Sequence, residues 1–359
     1  EDAHVSGASA FRRTVDDLGG FYVKTGQIVA SRQDLFPKQY STALAGLTDF
    51  VDPLPSDEVR RVVAEETLRP GEVWDDVFAE WDDAPLGAAS VAQVHRAVLS
   101  EKYGKKEVAV KVQRPGVETT LLGDVKQLKR LAKPLRGTTP VDYYIVFQEL
   151  ESQLADEFDF IREAAAMERI GTTLSEAPGG AALVVPRTVP SLCSKRVLVM
   201  DYLRGEPLSR LAERLPEGAD LGPAGKALLA ALTDAFGRCI FETGFFHADP
   251  HPGNLFVLDD GRIGLIDFGQ VKQISGKARC TLGKVMCALA QRERSKEEPY
   301  GILRDLEPLA ELGDELGVVL RDGALRPEGP AAVSMWLFDD ASEPLPGGFE
   351  QSELSPKAP

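Results

Sequence analysis

The sequence predicts an α+β fold, with helices at the start, a strand-rich middle and helices again beyond it. Three observations carry that expectation. Over residues 11–34, Phe11, Val15, Leu18, Tyr22 and Val29 recur at helical intervals. From Trp81 the period shortens to two: Ala92, Val94, Arg96 and Val98 alternate with Val91, Gln93 and His95, as in a strand. Residues 223–244 return to an apolar helical pattern, and two short apolar runs, LFVL and IGLI, follow it.

The first helix is interrupted at Gly19-Gly20, and the tetrapeptide KTGQ, residues 24–27, lies within it. Pro37, Pro53 and Pro55 mark 35–55 as a connector. Ser56 reads as an N-cap whose hydroxyl would accept a backbone N–H, and Asp57 and Glu58 complement the helix dipole in the first turn. That helix runs to about Leu68. The turn PLGAAS leads into the alternating strand, and EVAVKVQ, residues 107–113, is a second strand with Lys111 among valines. Residues 118–136 form a helix with a basic stripe of Lys126, Lys129, Arg130, Lys133 and Arg136, and with Val125, Leu128, Leu131 and Leu135 on roughly the opposite face. Residues 142–174 read as one long helix carrying DEFDFIREAA. VLVMDYL, residues 197–203, is a buried strand running into a linker that ends at Gly205 and Pro207. From Ser275 the chain is helical to about Leu320, and 326–359, rich in Pro, Gly and acids, reads as a poorly ordered tail. No internal repeat is visible.

Composition bounds the function. With 359 residues, 43% hydrophobic and 27% charged, the chain is an ordinary globular protein of one large or two modest domains. A net charge of −15 lacks the basic footprint of a nucleic-acid binder. Cys193, Cys239, Cys280 and Cys287 form no CxxC pair and read as reduced, buried thiols. The most apolar stretch, LLAALTDAFGRCIFETGFF, is broken by Asp234, Arg238 and Glu242, so no transmembrane segment is expected. The chain begins at Glu1 instead of methionine and reads as a fragment or processed form.

The chemistry concentrates in FHADPHPGNLFVLDDGRIGLIDFG, residues 246–269. Asp249 and Asp267 stand among apolar residues, and buried carboxylates are costly unless paired or bound to a cation. HADPHPGN places Asn254 five residues after Asp249, the spacing of the protein-kinase catalytic loop, in which the Asp accepts a substrate proton and the Asn binds a metal. Asp267-Phe268-Gly269 follows thirteen residues later, and the two intervening strands form a hairpin that would bring Asn254 and Asp267 together. Mg²⁺ takes a few hard oxygen ligands from protein and the rest from phosphates and water. The expected cation is therefore Mg²⁺, carried with ATP. Two unrelated turns could explain a lone DFG. They do not explain both elements at this spacing, behind a VAVK strand and the VLVMDYL linker. Lys111 in VAVK is the candidate phosphate-pairing lysine. No GxGxxG precedes that strand. Gly87-Ala88-Ala89-Ser90 stands there instead, small enough for backbone N–H groups to approach phosphate. No APE follows the DFG.

Taken together, KTGQ, PLGAASVAQVH, EFD followed by REAA, HADPHPGN and DFG make the chain resemble the UbiB-type atypical kinase family, also called aarF-domain kinases, over about residues 15–290. The resemblance implies a protein-kinase-like two-lobed fold with an N-terminal helical extension: 1–80 the extension, 81–203 the N-lobe with inserted helices, 204–325 the helical C-lobe, 326–359 the tail. It implies that Lys24 and Gln27 fold over the active site, that Ala88 and Ala89 belong to an alanine-rich nucleotide loop, that Glu157 and Asp159 are the family's ExD pair, and that Glu163 partners Lys111. The family's loop usually has three alanines before its serine; here Gly87 takes the first position. On a helix, Glu157 and Asp159 do not share a face, whereas Asp159 and Glu163 do. A solvated acidic face is the plain reading of these residues, and the resemblance favours carboxylates at the nucleotide.

The resulting expectation is an ATP- and Mg²⁺-dependent atypical kinase or ATPase. Asp249 would be the catalytic base, Asn254 and Asp267 the metal ligands, and Met200, Asp201 and Leu203 the adenine linker. The resemblance further implies support of isoprenoid-quinone or other lipid metabolism, lipid or quinone-pathway partners, and peripheral contact with a mitochondrial, plastid or bacterial inner membrane. The basic helix could face anionic lipid, although such a stripe is first read as a solvated face. A pseudokinase scaffold and a small-molecule phosphotransferase of the same fold are the alternatives.

Overall fold

The structure, a computed structural model, describes residues 2–18, Gly26, 38–44, 52–136, 143–176, 183–214, 222–291, 318–320 and 354–356. Lys24 and Gln27 lie outside the described residues. The chain divides into two compact units, Glu1–Ala231 with His247–Val271, and Leu232–Phe246 with Lys272–Pro359.

The first unit opens with α1 (Asp2–Leu18) and α2 (Lys38–Leu44), followed by α3 (Ser56–Thr67). The expected cap at Ser56 is corrected. Pro55 holds the N-cap position without a side-chain hydrogen bond, and the Ser56 hydroxyl donates to Asp83 instead. A serine already inside the first turn is free to bond elsewhere. Five strands then build an antiparallel sheet: β1 (Phe78–Trp81), β2 (Gly87–Ala88), β3 (Ala92–Leu99), β4 (Glu107–Gln113) and β6 (Val197–Asp201), in the order β1-β3-β4-β6 with β2 on β3. Alternation in β4 decides its two faces. Val108, Val110 and Val112 are buried in one cluster with Val59, Val62 and Val63 of α3. Lys111 therefore faces the other side.

Between β4 and β6 come α4 (Val117–Ala132), α5 (Tyr143–Glu157), α6 (Phe160–Ser175) and β5 (Leu183–Val184). The single helix expected over 142–174 is broken at Phe158–Asp159. The Asp159 carboxylate accepts the N–H groups of Ile161 and Arg162, both at 3.1 Å, and caps α6. Aspartate favours this local bonding over a place inside a helix. Val125 of α4 is buried with Leu121, Leu150, Leu154 and Phe158. Leu131 and Leu135, expected on that buried face, are instead 69% and 49% exposed. Leu121, Val125 and Ala132 define the buried face of α4, Leu131 sits about 100° round from Ala132, and Leu135 lies past the helix end in a 3-10 turn. In the basic stripe, Lys129 is tied to Glu151 at 2.6 Å.

A second sheet runs β5-β10-β9-β7, from β7 (Gly205–Pro207), β9 (Leu255–Leu258) and β10 (Ile263–Leu265). The β9–β10 hairpin is antiparallel with Leu255 opposite Leu265, and β10 pairs with β5 in parallel. Before the hairpin come α7 (Leu208–Glu213), α8 (Gly222–Arg238) and the short strand β8 (Phe245–His247).

In the second unit, α8 ends in a π-helical turn at Cys239–Thr243, and α9 spans Gly276–Gln291. The expected helix to Leu320 is corrected at its end: Val318–Leu320 is a strand paired antiparallel with Leu354–Pro356, which also places part of the expected tail in a ladder. Two consecutive β-branched valines favour that conformation. Thr281 and Val285 form the buried face of α9, so Cys280 and Cys287, expected buried, are exposed. Among the described residues no helix is long and apolar enough to cross a membrane.

Candidate active site

The lysine comes from the sheet. Lys111 Nζ donates to Glu163 Oε1 and Oε2 at 2.8 and 3.0 Å, and to Asp267 Oδ1 at 3.1 Å. It also lies 5.1 Å from the Phe160 ring centroid, a cation–π distance. The glutamate comes from the first turn of α6, where the Asp159 cap has started the helix. Glu163 is buried, and its Oε1 accepts the Phe268 N–H as well as the ammonium. Burial works to lower the Lys111 pKa, but the combined charges of Asp267 and Glu163 outweigh it and raise the ammonium above its ordinary value. The Glu163 carboxyl is raised by burial and by the Asp267 charge, with Lys111 and the Phe268 N–H opposing. One ammonium thus sits between two carboxylates. With Lys111 protonated and both acids ionised, the cluster carries one net negative charge.

Asp267 is held in an uncommon backbone state. Its φ is +59°, a left-handed conformation that costs an L-residue roughly 1–2 kcal/mol. The buried ring of His247 secures it. His247 Nδ1 lies 3.2 Å from the Asp249 N–H, which can only donate, so Nδ1 accepts and the proton resides on Nε2. Nε2 then donates to the Asp267 carbonyl at 2.7 Å. Phe268 packs edge-on to the same ring, with centroids 5.2 Å apart. A single imidazole therefore fixes Asp249 and Asp267 relative to each other.

The hairpin brings the asparagine alongside. Leu255 pairs with Leu265, and the Ile266 N–H donates to the Asn254 carbonyl at 2.9 Å, which sets Asn254 beside the residue before Asp267. Asn254 Nδ2 donates to the Asp249 carbonyl at 3.2 Å. With its nitrogen end committed, the amide has its Oδ1 left to act as an acceptor.

A cavity of about 100 Å³ joins these groups, lined among others by Ala89, Ser90, Lys111, Glu157, Glu163, Asp249 and Asp267. The lining leaves out several residues expected there. Gly87 and Ala88 are spent in β2, paired with Val94 and Gln93, and the chain reaches the cavity only after Ala89 bonds back to Ala92 at 2.8 Å. Asp159 is the α6 cap. Met200, Asp201, Leu203 and Asn254 also lie outside the lining. In the linker, the Asp201 N–H donates to the Arg187 carbonyl and its carboxylate pairs with Lys106. Sequence reasoning missed His247, Phe160 and Gln270. The histidine of His-x-Asp was in plain sight, and its ring links two motifs twenty residues apart; nothing local marked Phe160 or Gln270.

The residues present suit a hard cation held with phosphates. Among the described residues no cluster of three or more His, Cys, Asp or Glu is assembled for a metal. Mg²⁺ needs none, since it takes one or two protein oxygens and completes its shell with phosphate and water. The Asp267 carboxylate is half exposed beside the cavity, and the Asn254 backbone is bonded to Ile266, the residue before Asp267.

Residues 46–298 match the ABC1 atypical kinase-like domain. An uncharacterised protein of Synechocystis is 33% identical over 286 residues, covering 78% of this chain and 69% of that protein. A protein of Azotobacter vinelandii named "Probable protein kinase UbiB" is 33% identical over 300 residues, covering 80% of this chain and 53% of that protein. The chloroplastic protein ACTIVITY OF BC1 COMPLEX KINASE 1 of Arabidopsis thaliana is 29% identical over 333 residues, covering 92% of this chain and 45% of that protein. The chain thus spans about half the length of the latter two relatives.

Proposed function

The chain belongs to the ABC1 atypical kinase-like family, and from that premise we propose that it is an ATP- and Mg²⁺-dependent kinase or ATPase. The observation that carries this reading is the Lys111 ammonium held between Glu163 and Asp267. Lys111 would meet the ATP phosphates, with Glu163 holding it in place. Asn254 and Asp267 would hold Mg²⁺, which when bound neutralises phosphate charge. Asp249, fixed through its backbone to His247 and Asn254, would accept the proton of the acceptor hydroxyl. Ala89 and Ser90 would lie against the phosphates, with Gly87 and Ala88 anchoring that loop in the sheet, and Glu157 would face the same cavity. Met200, Asp201 and Leu203 would border the base, and Lys24 and Gln27 would cover the cleft. Residues 81–203 would form the N-lobe and 204–325 the C-lobe.

The cavity is smaller than the roughly 300–1,000 Å³ of small-molecule sites. Nucleotide entry would therefore widen the cavity, and parting the Lys111–Asp267 contact is one way to do so. The resemblance to the UbiB-type family, a name that one relative carries, supports a role in quinone or other lipid metabolism at a membrane. The test is phosphate release from MgATP, with and without detergent and quinone-like lipids. Turnover stimulated by those additives is the expected result. A protein that binds MgATP but releases no phosphate under any of these conditions would be a nucleotide-binding scaffold.

A further inference from the structure

The stretch PLGAASVAQVH ends in two polar residues that the nucleotide reading leaves unused. Gln93 and His95 lie on β3 and are 1% and 0% exposed. Buried polar side chains are kept where they are bonded, and the bonds of this pair run to the connector ahead of α3.

The connector is shaped for them. Asp52 and Leu54 each precede a proline, which pushes both towards extended backbone. Pro53 and Pro55 carry no N–H, so Leu54 has the one backbone donor of the three. The Gln93 amide meets both polar groups of Leu54. Its Oε1 accepts the Leu54 N–H at 2.8 Å, and its Nε2 donates to the Leu54 carbonyl at 3.3 Å. A side chain thus stands in for a neighbouring strand. A second hold comes from Arg114, whose Nη2 donates to the Asp52 carbonyl at 3.0 Å. Both holds lead to the nucleotide loop. Gln93 pairs with Ala88 across the foot of that loop, and the Arg114 N–H donates to the Val91 carbonyl within it at 2.9 Å. Ala89, Ser90 and Val91, between those points, line the cavity at Lys111.

His95 decides whether Gln93 can keep its grip. His95 Nδ1 lies 2.8 Å from the Asp82 carbonyl, which can only accept, so Nδ1 carries the proton. Nε2 is bare and accepts from Gln93 Nε2 at 2.9 Å. A proton on His95 Nε2 would set two donors face to face. Turning the Gln93 amide over would satisfy the imidazolium, but it would aim the NH2 group at the Leu54 N–H and the oxygen at the Leu54 carbonyl. The charged ring and the two Leu54 bonds therefore exclude each other. Trp81 stacks on the ring with centroids 4.9 Å apart. Burial keeps the ring neutral by lowering its pKa, and Arg60 of α3 acts the same way, while Asp82 and Asp83 after β1 oppose them.

We propose that Gln93 and neutral His95 are positioning residues for the nucleotide loop: they bind the 52–54 connector to its foot, and a proton on His95 releases it. The clamp stands on these bonds alone. Its effect on nucleotide rests on the reading of Ala89 and Ser90 given above.

Leu54 makes the experiment specific, because it supplies the one exchangeable amide of residues 53–55. Hydrogen exchange of that amide, expressed as protection over the free peptide, is followed at about pH 7.5 and about pH 5, on either side of the ordinary histidine value. The proteins are wild type, Gln93→Leu and His95→Gln, with circular dichroism checking each fold. A glutamine at 95 offers Gln93 an acceptor and does not titrate. Wild-type protection is expected to fall at least tenfold at the acid pH. Gln93→Leu should have lost it at both pH values, and His95→Gln should keep it at both. At the higher pH, MgATP affinity is expected to weaken about fivefold or more in Gln93→Leu and to be retained in His95→Gln. Equal Leu54 protection in wild type and folded Gln93→Leu, or an acid loss that persists in His95→Gln, overturns the clamp. Lost protection with unchanged MgATP affinity overturns its role at the loop. If a variant does not fold, the imidazole nitrogen NMR spectrum of wild type decides: a ring protonated on Nδ1 alone is expected at the higher pH, and a proton on Nε2 there overturns the proposal. If the protein binds no ATP, the Leu54 result still stands, so the two readings fail separately.

Discussion

Two ionic clusters flank β4, and they differ in every respect that matters. At one end of the strand, Lys111 and Glu163 are buried and Asp267 joins them from a half-exposed position, one cation against two anions. At the other end, Glu107 accepts from Arg96 and from Arg204, and Arg96 also reaches Asp82 at 3.1 Å. That second cluster is balanced, two cations against two anions, and Arg204 is 66% exposed. Arg96 and Glu107 are themselves half-buried, and balanced pairs open to water on their outer side are screened by salt and add little to stability. A buried ammonium and carboxylate are costly to hold, and where they adjoin a further carboxylate at a cavity they mark a candidate binding site. Charge count and burial together, more than the number of salt bridges, separate a candidate site from ordinary surface chemistry.

The comparison breaks most visibly at Lys111. Lys111→Met should abolish ATP turnover by a factor of about 10² or more, and should destabilise the fold by roughly 3–5 kcal/mol because it strands a buried carboxylate. Urea unfolding and phosphate release read the two effects apart. A Lys111→Met/Glu163→Leu double variant should recover stability but not turnover. If turnover survives in either, the buried cluster has no role at the nucleotide.

Asp267→Asn comes next. Asparagine tolerates the left-handed backbone, so the fold should stand while the carboxylate is lost. Wild type at about a hundredfold excess of MgATP over its Kd should gain roughly 2.7 kcal/mol. The variant should gain almost none, as a thermal-shift titration would record. Unchanged stabilisation would remove Asp267 from the metal assignment.

The outer cluster should respond far less. Glu107→Gln should move the melting temperature by less than about 4 °C, and high salt should erase much of the difference. The Glu107 carboxyl is held below its ordinary value, foremost by its hydrogen bonds to Arg96. A depressed acid contributes stability that is complete above its unfolded pKa, near about 4.3, and is lost as pH falls through the lower folded value. A pH melt that shows its loss near neutrality would contradict this.

The smallest effect is expected at Gly87, whose would-be Cβ meets nothing within 4 Å and whose φ is not positive. Gly87→Ala should stabilise by about 0.4–1 kcal/mol through the unfolded chain. A loss of stability in urea would mean that this end of the loop is tighter than described.

The reach of the sequence followed the range of the contacts. The hairpin bearing Asn254 and Asp267 is local, so spacing alone placed its two ends together. The face of Lys111 followed from alternation once Val110 and Val112 had a helix to bury against. Glu163 stands 52 residues from Lys111, and only the family resemblance joined them. Asp159 was legible as an acid but not as a cap, because its choice depends on where Phe158 and Phe160 are drawn into the core. Gly87 and Ala88 read as loop because two paired residues are too short a run to show a period. Leu131 and Leu135 were read onto the apolar stripe, but Ala132 takes the buried position one residue on from Leu131, and the helix ends there before Leu135.

Gly205 has a consequence for motion. A side chain there would strike the Val257 carbonyl at 2.4 Å, so the start of β7 lies flat on β9 and travels with it. On the other side, the Tyr202 N–H is bonded to the Glu107 carbonyl and so travels with β4. The Arg204 carbonyl is already taken by Asp259 in the β9–β10 turn. Between these two anchors stands one residue, Leu203. At this crossing, a backbone shift between β4 and β9 would fall on the φ and ψ of Leu203, and the 185–196 segment between β5 and β6 forms the second crossing. The Arg204–Glu107 pair bridges that pivot from outside, like a latch across a hinge pin. Because Arg204 is exposed, salt weakens that latch, and stopped-flow nucleotide exchange is expected to quicken as ionic strength rises.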